Sequence, residues 1–230
     1  LSGDPGVSLA NNMPVAELVS DRLPRSLMLA GITTLVAVPF ALFVGILAAS
    51  YSDTRVDHFI STIVMFVVAV PEFLVATIAV LIFSVHLGWL SAVSYAPQDP
   101  TLQEFIATYA LPVMTLSLVL VGQMSRMTRA ALIEQMQQPY IEMAILKGAS
   151  HSRLVLRHAL PNAVGPIANA VALSLSYLMG GVVIVEVIFN YPGIASLMVD
   201  SVTNRDFPLL QACAMLFCTG YLILVFMADI

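Results

Sequence analysis

Charged residues are scarce in this chain: lysine, arginine, aspartate and glutamate make up 10% of its 230 residues, whereas 59% are hydrophobic. An ordinary soluble domain carries about 25% charged residues. A soluble fold of this size could not hide so much apolar surface without leaving large exposed patches. The shortage of charge therefore favours an integral membrane protein. The net charge of −5 is small and spread along the chain, which gives no sign of a nucleic-acid partner.

Cysteine and histidine are too few and too scattered for a disulfide framework or a metal site. Cys213 and Cys218 lie five apart in one apolar run and are predicted to be small core residues. Nucleophile elbows, paired-histidine metalloprotease motifs and intramembrane aspartates are all missing, which argues against an intramembrane enzyme. The residues therefore predict neither an intramembrane enzyme nor a metal site.

Long apolar runs are abundant. A spanning helix needs about 20 mainly apolar residues. Five stretches qualify: Leu27–Ser50, Phe59–Leu87, Phe105–Met124, Ala163–Phe189 and Leu209–Ile230. Their polarity does not alternate, so helices are predicted and not barrel strands. The second run would reach about 44 Å as one straight helix, against a hydrocarbon core of about 30 Å, and Pro71 near its middle predicts a kink.

Basic residues mark one side of the predicted topology. Six lysines and arginines lie in the connections 51–58 and 125–161, against three in all the connections on the other side. Because lysine and arginine concentrate in cytoplasmic loops, 51–58 and 125–161 are predicted to be cytoplasmic. Residues 1–26 are then a periplasmic segment, followed by a transmembrane domain over 27–230.

The longest polar stretch, residues 125–161, is predicted to form short helices between the third and fourth spans. Pro139 cannot continue the first of them, and Gly148 closes the second. A third helix is predicted over 152–160, with Pro161 opening the next span. From spacing alone, the segment could be a compact platform or a solvated connector that shields the membrane surface.

The second of these helices carries a family resemblance. Glu142-Met143-Ala144 is followed after three residues by Gly148, and further on by Leu160-Pro161. This resembles the cytoplasmic EAA signature of permeases from ATP-binding-cassette (ABC) importers. That signature runs Glu-Ala-Ala, three residues, Gly, nine residues, an apolar residue, one more residue, and Leu-Pro. Every spacing matches, although Met143 replaces an alanine and His158 occupies the apolar position.

Other segments are similar to the dipeptide, oligopeptide and nickel permease branch of that family. They are Pro14–Leu18, Arg22–Pro24, Gly88–Leu90, Arg157–Asn162 and Glu186–Gly193. Such permeases usually have six spans, so the resemblance implies that the first span is missing and that this chain is a fragment. The polar start at Leu1 and the end inside an apolar run at Ile230 agree with that expectation.

The resemblance also implies a mechanism and a set of partners. A coupling helix would sit in a cleft of a cytoplasmic ATPase subunit, with Glu142, Ala144, Lys147, Gly148 and Pro161 as the coupling residues. The implied partners are two ATPase subunits, a second homologous permease subunit, and a periplasmic or lipid-anchored substrate-binding protein. The resemblance also implies that ATP and Mg²⁺ are bound by the ATPase subunits, and that this chain is a non-catalytic subunit with no cofactor of its own. The chain, embedded in the lipid of the inner membrane, would form the path for a peptide-like or related small solute.

Two glutamates in the apolar runs are candidates for the translocation path. Glu72 lies beside Pro71, where a carboxylate costs about 3 kcal/mol on insertion scales. Either it caps the first turn of a new helix in a watery crevice, or it contacts the substrate. Glu186 is interfacial by position, and the resemblance groups it with Pro192 and Gly193 in a periplasmic gate region.

Small and weakly polar residues recur in the fourth span. They allow close helix packing and can also line a polar path. The path candidates among them are Asn169, Ser176 and Tyr177, with packing as the alternative explanation.

The rival function is secondary transport, in which buried charges couple transport to ions and inverted repeats form the site. Glu72 points that way, but no second half of the sequence mirrors it. The branch handles di- and oligopeptides, glutathione, nickel and some sugars or opines, and no residue here separates a peptide from a metal complex.

Overall fold

The computed structural model describes residues 5–94 and 101–228. Within these residues the chain is helical, with no strand beyond one isolated bridge between Val7 and Pro14. The helices are α1 (Val15–Ser50), α2 (Arg55–Ala69), α3 (Glu72–Ala79), α4 (Leu102–Met136), α5 (Pro139–Leu146), α6 (His151–Arg153), α7 (Leu160–Ile188), α8 (Ile194–Thr203) and α9 (Phe207–Ala228). A π-helical turn, Val80–His86, extends α3, and another, Leu154–Ala159, joins α6 to α7.

The prediction of an all-helical membrane protein is confirmed. The helices α1, α4 and α9 and the helical stretch His151–Ile188 are each long and apolar enough to cross a membrane. α2 and the stretch Glu72–His86 pass the same test only as a bent pair, so the described residues contain four candidate spans, or five if that pair is one span. The predicted outer connection at 88–104 lies partly outside the described residues, as do both chain ends, including the last two residues of the fifth predicted span.

The second span is broken at its proline. α2 ends at Ala69, Val70 is extended with φ −82° and ψ 127°, and α3 begins at Glu72. The proline ring disfavours a helical conformation in the residue before it, and its missing N–H cannot continue the hydrogen-bond ladder. The predicted kink at Pro71 is confirmed.

α1 begins at Val15, well before the predicted span at Leu27. The apolar run starts only after Arg22 and Arg25, whereas the backbone hydrogen bonding of the helix starts earlier. Composition locates the stretch that can lie in lipid, but it does not locate the end of the helix that contains it. Much of the segment predicted as periplasmic is therefore helical.

The predicted cytoplasmic segment, all of it described, differs from expectation at its third helix. α4 runs on to Met136 and α5 is a separate short helix, as predicted. Residues 152–160 are helical, as predicted, but they continue without a break into α7, so the predicted helix boundary at Pro161 is wrong. The π-helical turn before the proline accommodates it, and the Asn162 amide donates to the His158 carbonyl at 2.7 Å.

Contacts divide the chain into two units, of which unit 1 comprises Leu1–Thr34, Pro71–Ser117 and Ser176–Ile223. Its apolar cluster packs the start of α1 against α8 and α9 and consists of Val15, Ile194, Leu197, Leu209 and Cys213. Cys213 is buried as predicted, whereas Cys218 is exposed. The Asp206 carboxylate accepts from the Ser8 hydroxyl and the Ala10 amide. Burial favours the neutral acid, but these hydrogen bonds hold the pKa of Asp206 below its usual value.

Unit 2 comprises Leu35–Val70, Leu118–Leu175 and Leu224–Ile230. Its buried cluster joins residues of α1, α4, α5, the π-helical turn Leu154–Ala159 and α7, among them Leu132, Ile141, Leu154 and Ala163. The predicted cytoplasmic segment therefore packs as part of this unit, which agrees with a compact platform and not with a loose connector.

Candidate functional site

The helix α5 and the two residues after it hold four of the five predicted coupling residues, and the helix has two defined ends. It starts at Pro139, because a first helical turn does not need the N–H that proline lacks. At its other end the Gly148 amide donates to the Ile145 carbonyl at 2.8 Å, and the Ala149 amide donates to the Ala144 carbonyl at 3.1 Å. These bonds form a Schellman motif, which needs a left-handed residue, and Gly148 has φ +79°. Gly148 therefore closes the helix, as predicted.

α5 buries one face and exposes the other. Ile141 and Ala144 are buried in the cluster of unit 2. Met143, Ile145 and Leu146 are 57%, 54% and 82% exposed. On the predicted cytoplasmic side, such an exposed apolar patch is typical of a protein interface. In the described part of the chain nothing covers these three side chains.

Charged residues flank the exposed face of α5. Glu142 lies in the first turn, where a carboxylate is favoured by the helix dipole, and Lys147 is the C-cap residue. Both are exposed, and neither forms an ion pair with another described residue. Pro161 lies apart from α5 in the chain, exposed in the first turn of α7. Ala144, in contrast, belongs to the buried face.

Glu186 is a fully buried carboxylate that closes the turn between α7 and α8. It accepts the Ser26 hydroxyl at 2.5 Å and the backbone amides of Ala195 at 2.8 Å and Ser196 at 3.1 Å. Ser26 Oγ in turn accepts the Ile194 amide at 2.8 Å. The two side chains thus satisfy the first three backbone amides of α8, which have no partner within their own helix.

The turn itself consists of Tyr191, Pro192 and Gly193. Gly193 is extended, with φ −106° and ψ −176°, a conformation open to any residue. Glycine is required at this position because there is no room for a side chain: a Cβ there would overlap the Glu186 carboxylate. Pro192 is half-buried beside it. Glu186, Pro192 and Gly193, which the sequence grouped together, therefore form one packed structure.

Tyr191 and Ser26 belong to this structure, and the sequence analysis missed both. The buried Tyr191 hydroxyl donates to the Arg25 carbonyl at 2.8 Å and lies 3.3 Å from the Tyr109 hydroxyl. Burial raises the pKa of Tyr191 above its usual value, so it remains a neutral donor. Its bond to Arg25 links residues 166 apart in the chain, and a contact over such a distance leaves no local sequence pattern.

Glu72 begins α3 and is half-buried. Among the described residues, no hydrogen bond reaches its carboxylate, but its place in the first turn of α3, directly after Pro71, agrees with the alternative in which it caps a new helix. The carboxylate also packs against the backbone of α7, where a Cβ at Gly181 would lie 2.5 Å from Oε1. Tyr177, one turn before Gly181, is 65% exposed on that helix.

The other path candidates on α7 have different environments. Ser176 is buried in unit 1, and Asn169 is exposed in unit 2. Burial of Ser176 agrees with a packing role, which was the alternative left open for these residues. In the described ranges, no group of three or more histidine, cysteine, aspartate or glutamate side chains is placed to hold a metal ion.

Comparison with known proteins identifies similar sequences along the whole chain. Residues 41–230 match the family model described as the inner membrane component of binding-protein-dependent transport systems. A probable peptide ABC transporter permease of Sinorhizobium fredii is 32% identical over 230 residues, which cover all of this chain and 74% of that protein. The glutathione transport system permease protein GsiC of Escherichia coli is 33% identical, again over the whole chain and over 72% of its own length.

Solved structures of similar fold are also transporters. The inward-facing MetNI methionine ABC transporter matches with a TM-score of 0.77 at 16% identity, over 93% of this chain and 94% of the matched chain. An amino acid ABC transporter with histidines matches with a TM-score of 0.71 at 18% identity, over 93% and 92% of the two chains. At these identities the likeness concerns the fold.

Proposed function

The chain belongs to the family of inner membrane components of binding-protein-dependent transport systems, and from this we propose that it forms the translocation path for a peptide-like solute. It is a transmembrane permease subunit of an ABC importer, located in the inner membrane. The proposed solute class rests on the full-length similarity to permeases named for peptides and for glutathione. These solutes share amide bonds, an ammonium group and carboxylates.

We propose that α5 is the coupling helix. Its exposed Met143, Ile145 and Leu146 support this role, because they form an apolar surface on the predicted cytoplasmic side that another protein could cover. Glu142 and Lys147 border that surface and would pair with charges of the partner. Gly148 and Pro161 would act through the backbone, by ending α5 and by shaping the start of α7.

The proposed assembly contains two ATPase subunits, a second homologous permease subunit, and a periplasmic or lipid-anchored binding protein. ATP and Mg²⁺ would be bound by the ATPase subunits, and this chain would take no part in the chemistry of hydrolysis. Its contribution would be to convert the closure of the ATPase subunits into movement of its spans.

Reconstitution tests the proposed function directly. We expect the permease pair, its ATPase subunits and its binding protein to accumulate a radiolabelled dipeptide or glutathione in liposomes only when ATP and Mg²⁺ are present. A secondary carrier would need no ATPase partner. If this chain alone takes up solute when a proton gradient is applied, and the rate does not depend on ATP, the protein is a secondary carrier and not an importer subunit.

We propose that Glu72 and Tyr177, both in unit 1, face the translocation path. The burial of Ser176 favours packing, and Asn169 of unit 2 stays a separate candidate. The support is the half-buried Glu72 carboxylate, which no described group hydrogen-bonds, and the exposed phenol one turn from Gly181. Such a carboxylate would attract the ammonium group of a peptide. Glu186, Pro192 and Gly193 would serve the gate indirectly, by holding α8 in place.

Replacement of Glu72 by glutamine is expected to raise the KM for a peptide about tenfold, because a hydrogen bond to a charged group contributes about 1.5 kcal/mol or more. Blocking the peptide ammonium by acetylation should remove the difference between Glu72→Gln and wild type. Glu17→Gln, at an exposed glutamate in the first turn of α1, is the control. An unchanged substrate profile and KM in Glu72→Gln would remove Glu72 from the path.

A further inference from the structure

Asp57 is a buried carboxylate at the predicted cytoplasmic end of the broken span, and it is 2% exposed. Arg129 of α4 binds it with two parallel hydrogen bonds, from Nε to Oδ1 at 2.7 Å and from Nη2 to Oδ2 at 2.6 Å. The Asp53 amide, at 3.1 Å, and the Ser61 hydroxyl, at 3.1 Å, also donate to it. Paired donors of this geometry fix orientation as well as distance, because a guanidinium and a carboxylate match along two bonds.

These bonds fasten the connection between α1 and α2 to α4. Asp53 has a left-handed backbone, with φ +61°, and Thr54 is extended just before α2. By accepting the Asp53 amide, Asp57 holds this tight turn in place, while Ser61 ties the next turn of α2 to the same carboxylate. The start of α2 therefore cannot shift along α4 without breaking the paired bonds to Arg129.

The same stretch of α4 also packs against α5 and α1. Leu132, three residues after Arg129, is buried in the cluster that contains Ile141 of α5. Gly45 of α1 packs against Thr128 so closely that a Cβ there would lie 2.7 Å from the threonine Cβ. One turn of α4 thus contacts α1, α2 and the proposed coupling helix together, all within unit 2.

We infer that the Asp57–Arg129 pair is a clamp that makes α2, the helix before the break at Pro71, move with α5. This inference rests on the proposed function of α5. An apolar contact alone would let α2 slide or rotate on α4, whereas two charge-assisted bonds of fixed direction transmit displacement. Asp57 and Arg129 are therefore positioning residues that act on the path through α2 and touch neither solute nor nucleotide.

The test compares ATP hydrolysis and solute uptake in the same liposomes containing the complete importer. For Asp57→Asn and Arg129→Gln we expect at least a fivefold fall in solute moved per ATP hydrolysed, with hydrolysis itself kept within about twofold. The double variant should be no worse than either single variant, because both remove the same clamp. Arg129→Lys, which keeps the charge but loses the paired geometry, should fall between wild type and Arg129→Gln.

Arg126→Gln is the matched control. Arg126 lies one turn earlier on α4, is exposed, and borders the same cleft of about 310 Å³ as Asp57, but it has no ion pair with another described residue. Its variant should keep the uptake-to-hydrolysis ratio of wild type.

Three outcomes would overturn the clamp. Uptake and hydrolysis could fall in parallel with the amount of assembled complex and leave their ratio unchanged. Arg126→Gln could lower the ratio as much as Arg129→Gln does. All clamp variants, Arg129→Lys included, could fail to assemble, which would assign the pair to folding alone. Failure of the proposed function is distinguishable from these, because the wild-type assembly would then show no ATP-driven uptake.

Discussion

Replacement of Glu186 by alanine is expected to lower the free energy of unfolding by about 3 kcal/mol or more. The carboxylate is fully buried and accepts one hydroxyl and two backbone amides. Removing a buried acceptor leaves its donors unsatisfied, at a cost of about 1–3 kcal/mol for each group. Thermal unfolding of the purified protein in detergent, monitored by tryptophan fluorescence or circular dichroism, measures the loss.

Gly193 provides a second variant that separates packing from hydrogen bonding. Gly193→Ala should destabilise the wild-type protein strongly, because its Cβ would overlap the Glu186 carboxylate. In the Glu186→Ala variant, Gly193→Ala should lower the free energy of unfolding much less, because the carboxylate that its Cβ would overlap is absent. The two changes are therefore expected to be non-additive, as for residues in direct contact.

Gly180→Ala is the control for this cycle. Gly180 lies in α7 within the same unit, and a Cβ there would meet no atom within 4 Å. Its substitution should change stability by no more than about 1 kcal/mol. A Glu186→Ala protein that unfolds within 1 kcal/mol of wild type, or additive effects of the two substitutions, would contradict the buried cap.

Replacement of Gly148 by leucine is expected to abolish transport while ATP hydrolysis by the assembled complex continues. A Cβ at this position would meet nothing within 4 Å in the chain. The chain itself therefore has room for a side chain, and an effect that depends on its bulk must arise from the surface that α5 contacts. Uptake and hydrolysis, measured in the same liposomes, would show the two activities separate.

Backbone strain at Gly148 needs its own control, because φ +79° costs an L-residue about 1–2 kcal/mol. Asparagine tolerates this conformation best among the non-glycine residues, so Gly148→Asn should retain more transport than Gly148→Leu. Gly88 shares the positive φ, at +64°, and the open space, but it lies in a predicted periplasmic connection. Gly88→Leu should leave coupling intact. Assembly and transport at the normal rate in Gly148→Leu would show that α5 is not the coupling helix.

Gly148 and Gly193 differ in whether neighbouring residues in the sequence show why glycine is needed. Gly148 follows an apolar helical pattern at the spacing of the EAA signature, so its role in ending α5 is readable from neighbouring residues. Gly193 has an ordinary extended backbone, and its requirement comes from a carboxylate seven residues back that folding turns against it. A local pattern indicated that the first must be glycine, whereas the second needed the folded turn.

Proline gave one correct and one wrong prediction of a helix boundary. Proline is a strong signal for a helix boundary, and at Pro71 the prediction is confirmed because Val70 leaves the helix. At Pro161 the same signal is wrong, because the helix continues from the π-helical turn Leu154–Ala159 through the proline into α7. The surroundings decide which outcome occurs, since neighbouring backbone and side chains can satisfy the carbonyl that proline leaves free.

The sequence by itself determined the membrane class, the apolar runs of four long helices, the break at Pro71 and the position of α5, because each depends on composition or on residues close together in the chain. Only the tertiary structure decided that Glu186 and Ser26 together cap α8, that Asp57 pairs with Arg129, and that Glu72 lies against Gly181. Those partners are separated by 160 residues in the first case and 72 in the second. A buried carboxylate must find donors, but which donors it finds depends on how the helices pack.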